Sequence, residues 1–395
     1  MAMAIDPKAT LKLLEELVAI ESVNSTLVPG ACGEARAAEH VRNFLRANGI
    51  AAELEEAAAS RPATAGRPNV VATIGGTRTE SAMPGLMIVA HLDTVGAGDM
   101  REPFTPRVRD GKMYGRGALD IKSGVAAMCA AAASIARDGV RLAKPLVIAG
   151  VVDEECNSLG TQALLKRGYK AAAAIVMEPT DLKLVIAHKG YAWFEIVTHG
   201  RAAHGSLPGE GRDAIRMMGR VLVALEALEK KIASRARHAR LGGASLHASM
   251  IEGGQELSSY PAECKLQLER RMLPGETEAS VEAELREMLD ALVKQDAEFR
   301  ATLRGGLGSR PAYQIAEESS VVKRASDAIR RACGACELSA MAAWTDTALL
   351  AEAGIPGVVF GPSGRGLHGA EEYVEIDSVG KCADALREMI LEFCG

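Results

Sequence analysis

Gly85-Leu86-Met87-Ile88-Val89-Ala90-His91-Leu92-Asp93-Thr94-Val95 is the stretch that decides the fold. Its first six residues carry no charge, and a short apolar run of that length reads as a buried strand. The strand then delivers an imidazole and a carboxylate, two residues apart, to its own C-terminal end. Open α/β sheets bind their ligands at that end. A lone histidine at a strand end is ordinarily just a satisfied polar group, so the weight of the reading depends on what stands at the ends of the other apolar runs.

Several such runs alternate with helical patterns. Asn69–Ile74, Pro145–Val152, Ala173–Met177 and Pro356–Phe360 read as strands, whereas 10–20, 33–48, Ser123–Ala136, 317–331 and 377–393 have helical periodicity. Residues 55–68, rich in Ala, Arg and Pro, read as a loop. Strands that alternate with helices imply an α/β fold with a mostly parallel sheet and helices on both faces. The pattern changes after Leu184. Tyr191–Thr198 and Cys264–Leu268 alternate as half-exposed strands do, and 299–304 reads as an edge strand. A helix follows Tyr191–Thr198 with Ile215, Met218, Leu222 and Leu225 on one face, and Ser280–Val293 is a second helix. The expectation is a catalytic domain made of residues 1–184 and 306–395, with a smaller α+β domain, 185–305, inserted into it.

With 395 residues, of which 48% are hydrophobic, the chain is long enough for two cores. The net charge of −5 gives neither a basic footprint for nucleic acid nor a polybasic segment for a membrane surface. No apolar run reads as a membrane span. The first residues, Met1-Ala2-Met3-Ala4-Ile5-Asp6-Pro7, lack the basic-then-apolar pattern of a signal peptide, so the expected location is cytoplasmic. Eight cysteines are scattered along the chain. Cys333 and Cys336 form a CxxC with no second CxxC to complete a zinc ribbon, and they read as reduced thiols.

Polar residues recur where apolar runs end: His91 and Asp93, Asp120 in Gly115-Arg116-Gly117-Ala118-Leu119-Asp120, Glu154 and Glu155 after Pro145–Val152, Glu178 after Ala173–Met177, and His368 in Gly366-Leu367-His368-Gly369. Imidazole and carboxylate donors suit Zn²⁺, Co²⁺ or Mn²⁺, and the absence of cysteine from the set points away from a closed structural zinc. Two ions sharing one carboxylate activate a water and polarise a carbonyl. Asp120, on a glycine-flanked turn entering a helix, suits the shared position. Glu154, beside Glu155, suits the general base, with its pKa tuned by the ions. Asp93 suits a support that accepts from the second ring nitrogen of His91.

On these residues, and on the segments HLDTV, MYGRGALDIKSG, VVDEECNSLGT, MEPTD, THGRAAHGS, ERRMLPGE, TDTALLAEAGIPGVVFGP and LHGAEEYV in that order, the chain resembles the dinuclear zinc aminoacylase and carboxypeptidase family (acetylornithine deacetylase, succinyl-diaminopimelate desuccinylase, glutamate carboxypeptidase). The resemblance covers nearly the whole chain. It implies that His91 and Glu178 bind one ion, that Glu155 and His368 bind the other, and that Asp120 bridges them. Zinc is the first choice, with cobalt or manganese as alternatives. Glu154 is implied as base and Asp93 as the residue that orients His91. The inserted domain is implied to be a dimerisation or lid domain, so that the protein is a homodimer. His204 is implied to reach a neighbouring subunit's site and stabilise the oxyanion, and Arg271 to clamp a substrate carboxylate.

The chain departs from the family after Gly253-Gly254, where Ser258 stands in the place of a usual asparagine; a shifted loop alignment accounts for this equally well. Gly364, in Gly361-Pro362-Ser363-Gly364, would line the pocket with backbone groups. Asp346 reads as a helix cap or a support behind the ligands. His188 and His199 read as structural or surface residues. The expected activity is hydrolysis of an N-acyl-amino acid, with a carboxypeptidase or dipeptidase using the same site as the alternative. The expected partner is thus a small N-acyl-amino acid or short peptide.

Overall fold

The computed structural model describes residues 5–57, 66–75 and 85–395. Most of the expected 55–68 loop, and the first four residues, lie outside that range. Glu55 and Glu56 close a strand, Ala52–Glu56, that the sequence reading missed, and Pro68 opens the next. The chain divides into two compact units. One holds residues up to Ile186 with Ile315–Ser339 and Thr345–Gly395; the other holds Ala187–Gln314 and Ala340–Trp344.

In the larger unit the strands run in the order Ala52–Glu56, Pro68–Ile74, Leu146–Val151, Leu86–His91, Ala173–Met177, Gly357–Phe360, Leu184–His188. The four from Leu146–Val151 to Gly357–Phe360 are mutually parallel, and the flanking pairs are antiparallel. The central strands are buried at every position, which is why they read as unbroken apolar runs and not as alternating ones. Two groups of helices flank this sheet. Ser123–Arg137 packs against Leu86–His91, Pro7–Ala19 and Ile376–Cys394, while Leu159–Lys166 and Thr347–Glu352 pack on each other and on the sheet. Ser123–Arg137 is buried from Ser123 to Ile135, and its run of alanines makes that close packing possible. An Ile148→Ala change in the neighbouring core would cost about 2–5 kcal/mol. The span Ala118–Arg137 is long and apolar enough to cross a membrane by length and composition, which the sequence reading did not allow for, but 94% of its most apolar 18-residue window is buried inside the protein.

The smaller unit is a four-stranded antiparallel sheet, in the order Ser245–Gly253, Glu263–Met272, Gly190–His199, Ala301–Arg310, with the helices Ala214–Ala233 and Glu278–Gln295 packed on it. The first of these strands was not expected; it is exposed at nearly every position, so no alternation marks it. The helix Ala214–Ala233 buries Ala214, Met217, Met218, Val221, Leu225, Leu228 and Ile232. Ile215 and Leu222, expected on the buried face, are 46% and 37% exposed. The apolar residues of this helix span more than one stripe, so the 3.6-residue period alone leaves the buried face rotated by one position.

Candidate metal centre

The parallel strands fix the site. Leu146–Val151, Leu86–His91 and Ala173–Met177 are neighbours in the sheet and point the same way. Their C-terminal ends therefore bring Glu154 and Glu155, His91 and Asp93, and Glu178 to one edge, with strands about 4.8 Å apart. Asp120 arrives from the turn Ala118–Lys122, where it leaves helical dihedrals (φ −111°, ψ 91°). Gly117 precedes it at φ +79°, and a Cβ there would lie 2.7 Å from Thr94 Cγ2. His368 comes from the loop between the short strands Gly364–Arg365 and Tyr373–Glu375.

Asp120 stands between the two histidines. Its Oδ1 lies 3.1 Å from His91 Nε2, and its Oδ2 lies 3.3 Å from His368 Nε2. Glu178 Oε1 is 3.9 Å from His91 Nε2, and Glu155 Oε1 is 3.3 Å from His368 Nε2. Ligand atoms of His91, Asp120 and Glu155 lie within 4.8 Å of one another, as do those of His91, Glu154 and Glu178. Two donors held 2.0–2.1 Å from one tetrahedral ion stand about 3.4 Å apart, so these separations and this donor set fit the binding of divalent cations at this edge.

The electrostatics point the same way. Burial, reinforced by Glu178, pushes the Glu154 carboxyl well above the usual range. Burial does the same to Glu178, outweighing the attraction of His91. Burial alone would depress His91, but hydrogen bonding to Asp120 and Asp93 raises it well above its ordinary value. Hydrogen bonds to Asp120 and Glu155 lift His368 to about 10. A largely buried, carboxylate-rich cluster of this kind favours added positive charge.

Asp93 is buried behind His91. The ring Nδ1 lies 3.0 Å from the Asp93 backbone carbonyl and 3.6 Å from its Oδ1, so the main chain is the nearer partner. The carboxylate itself accepts from the Glu154 N–H (3.2 Å), the Glu155 N–H (3.1 Å) and Asn24 Nδ2 (2.8 Å). Asn24 also donates to Asp153, which lies beside the buried Arg67–Glu34 pair. No motif marks Asn24, Glu34 or Arg67. Asn24 reaches the site because its segment pairs with Thr94. Asp346 makes no cap hydrogen bond; it is buried, accepts from the Thr161 hydroxyl, and burial pushes it up to about 6.

The remaining expected site residues have other settings. In the smaller unit His204 is exposed, with Nδ1 2.8 Å from Ser206 Oγ, and its segment pairs with that of Ser258 and Ser259. Arg271 pairs with Glu269 at 2.6 Å and lies over the Tyr191 ring. Gly364 is a packing position, where a Cβ would lie 2.1 Å from the Tyr373 carbonyl oxygen and 2.8 Å from Leu119. His188 is buried, and burial depresses it to about 4. Cys333 and Cys336 are free and partly buried, and burial raises both thiols.

Residues 87–392 match the model of peptidase family M20/M25/M40. The chain belongs to this family. M20 relatives include acetylornithine deacetylases of Myxococcus xanthus (30% identical, covering 83% of this chain and 84% of the relative) and of Buchnera aphidicola subsp. Schizaphis graminum (29%, covering 78% and 81%). Similar solved structures include a tripeptidase from Staphylococcus aureus (TM-score 0.78, 21% identity, 98% of each chain). Another is a dinuclear metal-binding M20 peptidase from Bacillus subtilis (TM-score 0.73, 16% identity, 98% of this chain and 97% of that one). This M20 protein is a metal-dependent hydrolase of amide bonds on a mixed α/β fold, as the sequence led us to expect.

Proposed function

We propose that the chain is a two-metal amidohydrolase that cleaves the amide of an N-acyl-amino acid. The observation that carries this reading is the position of Asp120, whose two oxygens face His91 and His368 separately. His91 and Glu178 would hold one ion, Glu155 and His368 the other, and Asp120 both, with zinc the first choice over cobalt or manganese. When bound, the ions activate a water and polarise the scissile carbonyl. Glu154 takes the proton of the attacking water at its carboxylate and passes it to the departing nitrogen. Asp93 holds the Glu154 and Glu155 main chain through their N–H groups. By the same family resemblance, Arg271 is the residue we assign to the carboxylate of the amino-acid half, and Ser258 stands where the family has an asparagine.

His204 lies beyond the His199 end of the smaller unit's sheet, whereas Arg271 pairs with Tyr191 at the other end. From Glu263, opposite His199, to Arg271 is 271 − 263 = 8 residues of strand, roughly 26 Å at the usual rise. His204 and Arg271 of one copy are thus too far apart for one small substrate. This supports a homodimer in which His204 serves the neighbouring copy's oxyanion. The exposed edge strand Ser245–Gly253, with Met250 and Ile251 64% and 57% exposed, suits such pairing. The cytoplasm is the proposed location. The test is hydrolysis of acetyl-, succinyl-, formyl- and benzoyl-amino acids beside dipeptides, with divalent metal supplied. Turnover of the acyl-amino acids supports the reading, and turnover of dipeptides alone replaces it with a peptidase.

A further inference from the structure

The buried carboxylate of Glu372 has partners that the reaction outlined above does not use. Its Oε1 accepts from the Leu119 N–H at 2.8 Å and the Asp120 N–H at 3.0 Å. Its Oε2 accepts from the Gly117 N–H at 3.1 Å and from Arg116 Nη1 at 2.7 Å. The side chain is 1% exposed. One carboxylate therefore gathers three main-chain N–H groups of the turn that carries Asp120. Arg116 extends the tie, because its Nη2 donates to the Gly369 carbonyl at 2.9 Å. Gly369 follows His368, and Glu372 stands four residues beyond it. The Glu372 backbone carbonyl also accepts from the Gly115 N–H at 3.2 Å.

We propose that Glu372 is a positioning residue for the dinuclear centre: it locks the Asp120 turn to the His368 loop and so sets the distance between the shared carboxylate and the second imidazole. This rests on the two-metal reading above. The physical case is directional. The turn Gly117–Asp120 leaves the N–H groups of Gly117, Leu119 and Asp120 aimed at one carboxylate, and burial makes each costly to leave unmet. A carboxylate offers two acceptor oxygens to that point and no donor. Without it the turn must find other acceptors, and Asp120 moves with it. His368 is the ligand most dependent on the tie, since its side chain is 51% exposed while that of His91 is 1% exposed.

The test is titration of metal-free full-length protein with Co²⁺, followed by visible absorption and by the electron-paramagnetic signature of a coupled ion pair. Wild type is expected to take up two ions per chain. Glu372→Gln keeps the shape but turns an NH₂ toward donors, and is expected to bind one ion nearly as wild type does. The second ion should bind 10–100-fold more weakly, with the coupled-pair signature reduced and the far-ultraviolet dichroism unchanged. Two ions bound by a folded Glu372→Gln within threefold of wild-type affinity, with an intact signature, would overturn the proposal. Failure of wild type itself to bind two ions would instead overturn the two-metal reading. If Glu372→Gln does not fold, Arg116→Lys keeps the charge and loses the arm to Gly369. It should weaken the second ion at least threefold, and wild-type affinity there would equally refute the tie.

Discussion

Asp93→Asn is the substitution that most directly tests how the centre is held. The carboxylate accepts three hydrogen bonds, from the N–H groups of Glu154 and Glu155 and from Asn24 Nδ2. Asn24 cannot turn its amide to compensate, because its Oδ1 already accepts from the Thr26 and Leu27 N–H groups. An asparagine at 93 has one acceptor oxygen. Its best orientation keeps Asn24 and the Glu155 N–H and points NH₂ at the Glu154 N–H. One buried donor is stranded, at about 1–3 kcal/mol, and two charge-assisted bonds become neutral ones, at about 1 kcal/mol each. Because the neutral side chain is easier to bury, the net loss is about 2–4 kcal/mol in metal-free protein. Burial alone would raise the Asp93 carboxyl, but His91, Asn24 and the Glu155 N–H outweigh it and hold it below 3.8. A depressed folded-state value contributes stability that is complete above the unfolded value and is lost only as pH falls through the lower one. The full deficit should therefore appear at pH 7–8 in urea melts of chelated protein. Metal affinity at the His91 position should also fall about 10–100-fold, because ring orientation and the Glu154–Glu155 main chain are disturbed together. A melt within 0.5 kcal/mol of wild type, with unchanged metal affinity, would refute the reasoning.

Glu154→Gln should lower kcat about 10²–10⁴-fold while the bound-metal count by elemental analysis stays at the wild-type level; loss of metal instead would make Glu154 a ligand and not the base. Asp346 has a folded-state value near 6, above its unfolded 3.8, so the stability linked to its proton is present below about 3.8 and is lost as pH rises through about 6. Asp346→Asn should accordingly gain on wild type between pH 5 and pH 8, on the order of 1–3 kcal/mol in metal-free melts, and a pH-independent difference would argue against the buried charge. Arg271→Ala should raise KM much more for substrates with a free carboxylate than for their esters, with kcat less affected; equal effects would remove the clamp.

Four of the candidate site residues were legible because they stand where uninterrupted apolar runs stop. In parallel strands buried on both faces the first polar residues mark the sheet's edge: His91 and Glu178 close their runs directly, and Glu154 and Glu155 follow Asp153 at the end of theirs. The supports were not legible in the same way. Asn24 and Arg67 gain their places only when distant segments pair with the sheet, and nothing near them in sequence signals this. Glu372 lies inside the quoted LHGAEEYV segment, yet its task depends on a turn some 250 residues earlier in the chain. The edge strand Ser245–Gly253 and the buried face of Ala214–Ala233 escaped for a simpler reason. In both, apolar residues on solvent-facing positions blur the period on which such readings depend.

The Asp120 carboxylate joins two unequal environments: its His91 side is sealed and its His368 side is open to solvent. With the proposed pair of ions bound, exchange there would be sequential. A chelator reaches the open side first, so removal of metal should proceed in a fast and a slow phase, each releasing one ion per chain. Metal reloading should then fill the sealed side only while the open side is vacant. A half-loaded, catalytically impaired species would accumulate whenever the supply of free metal is short.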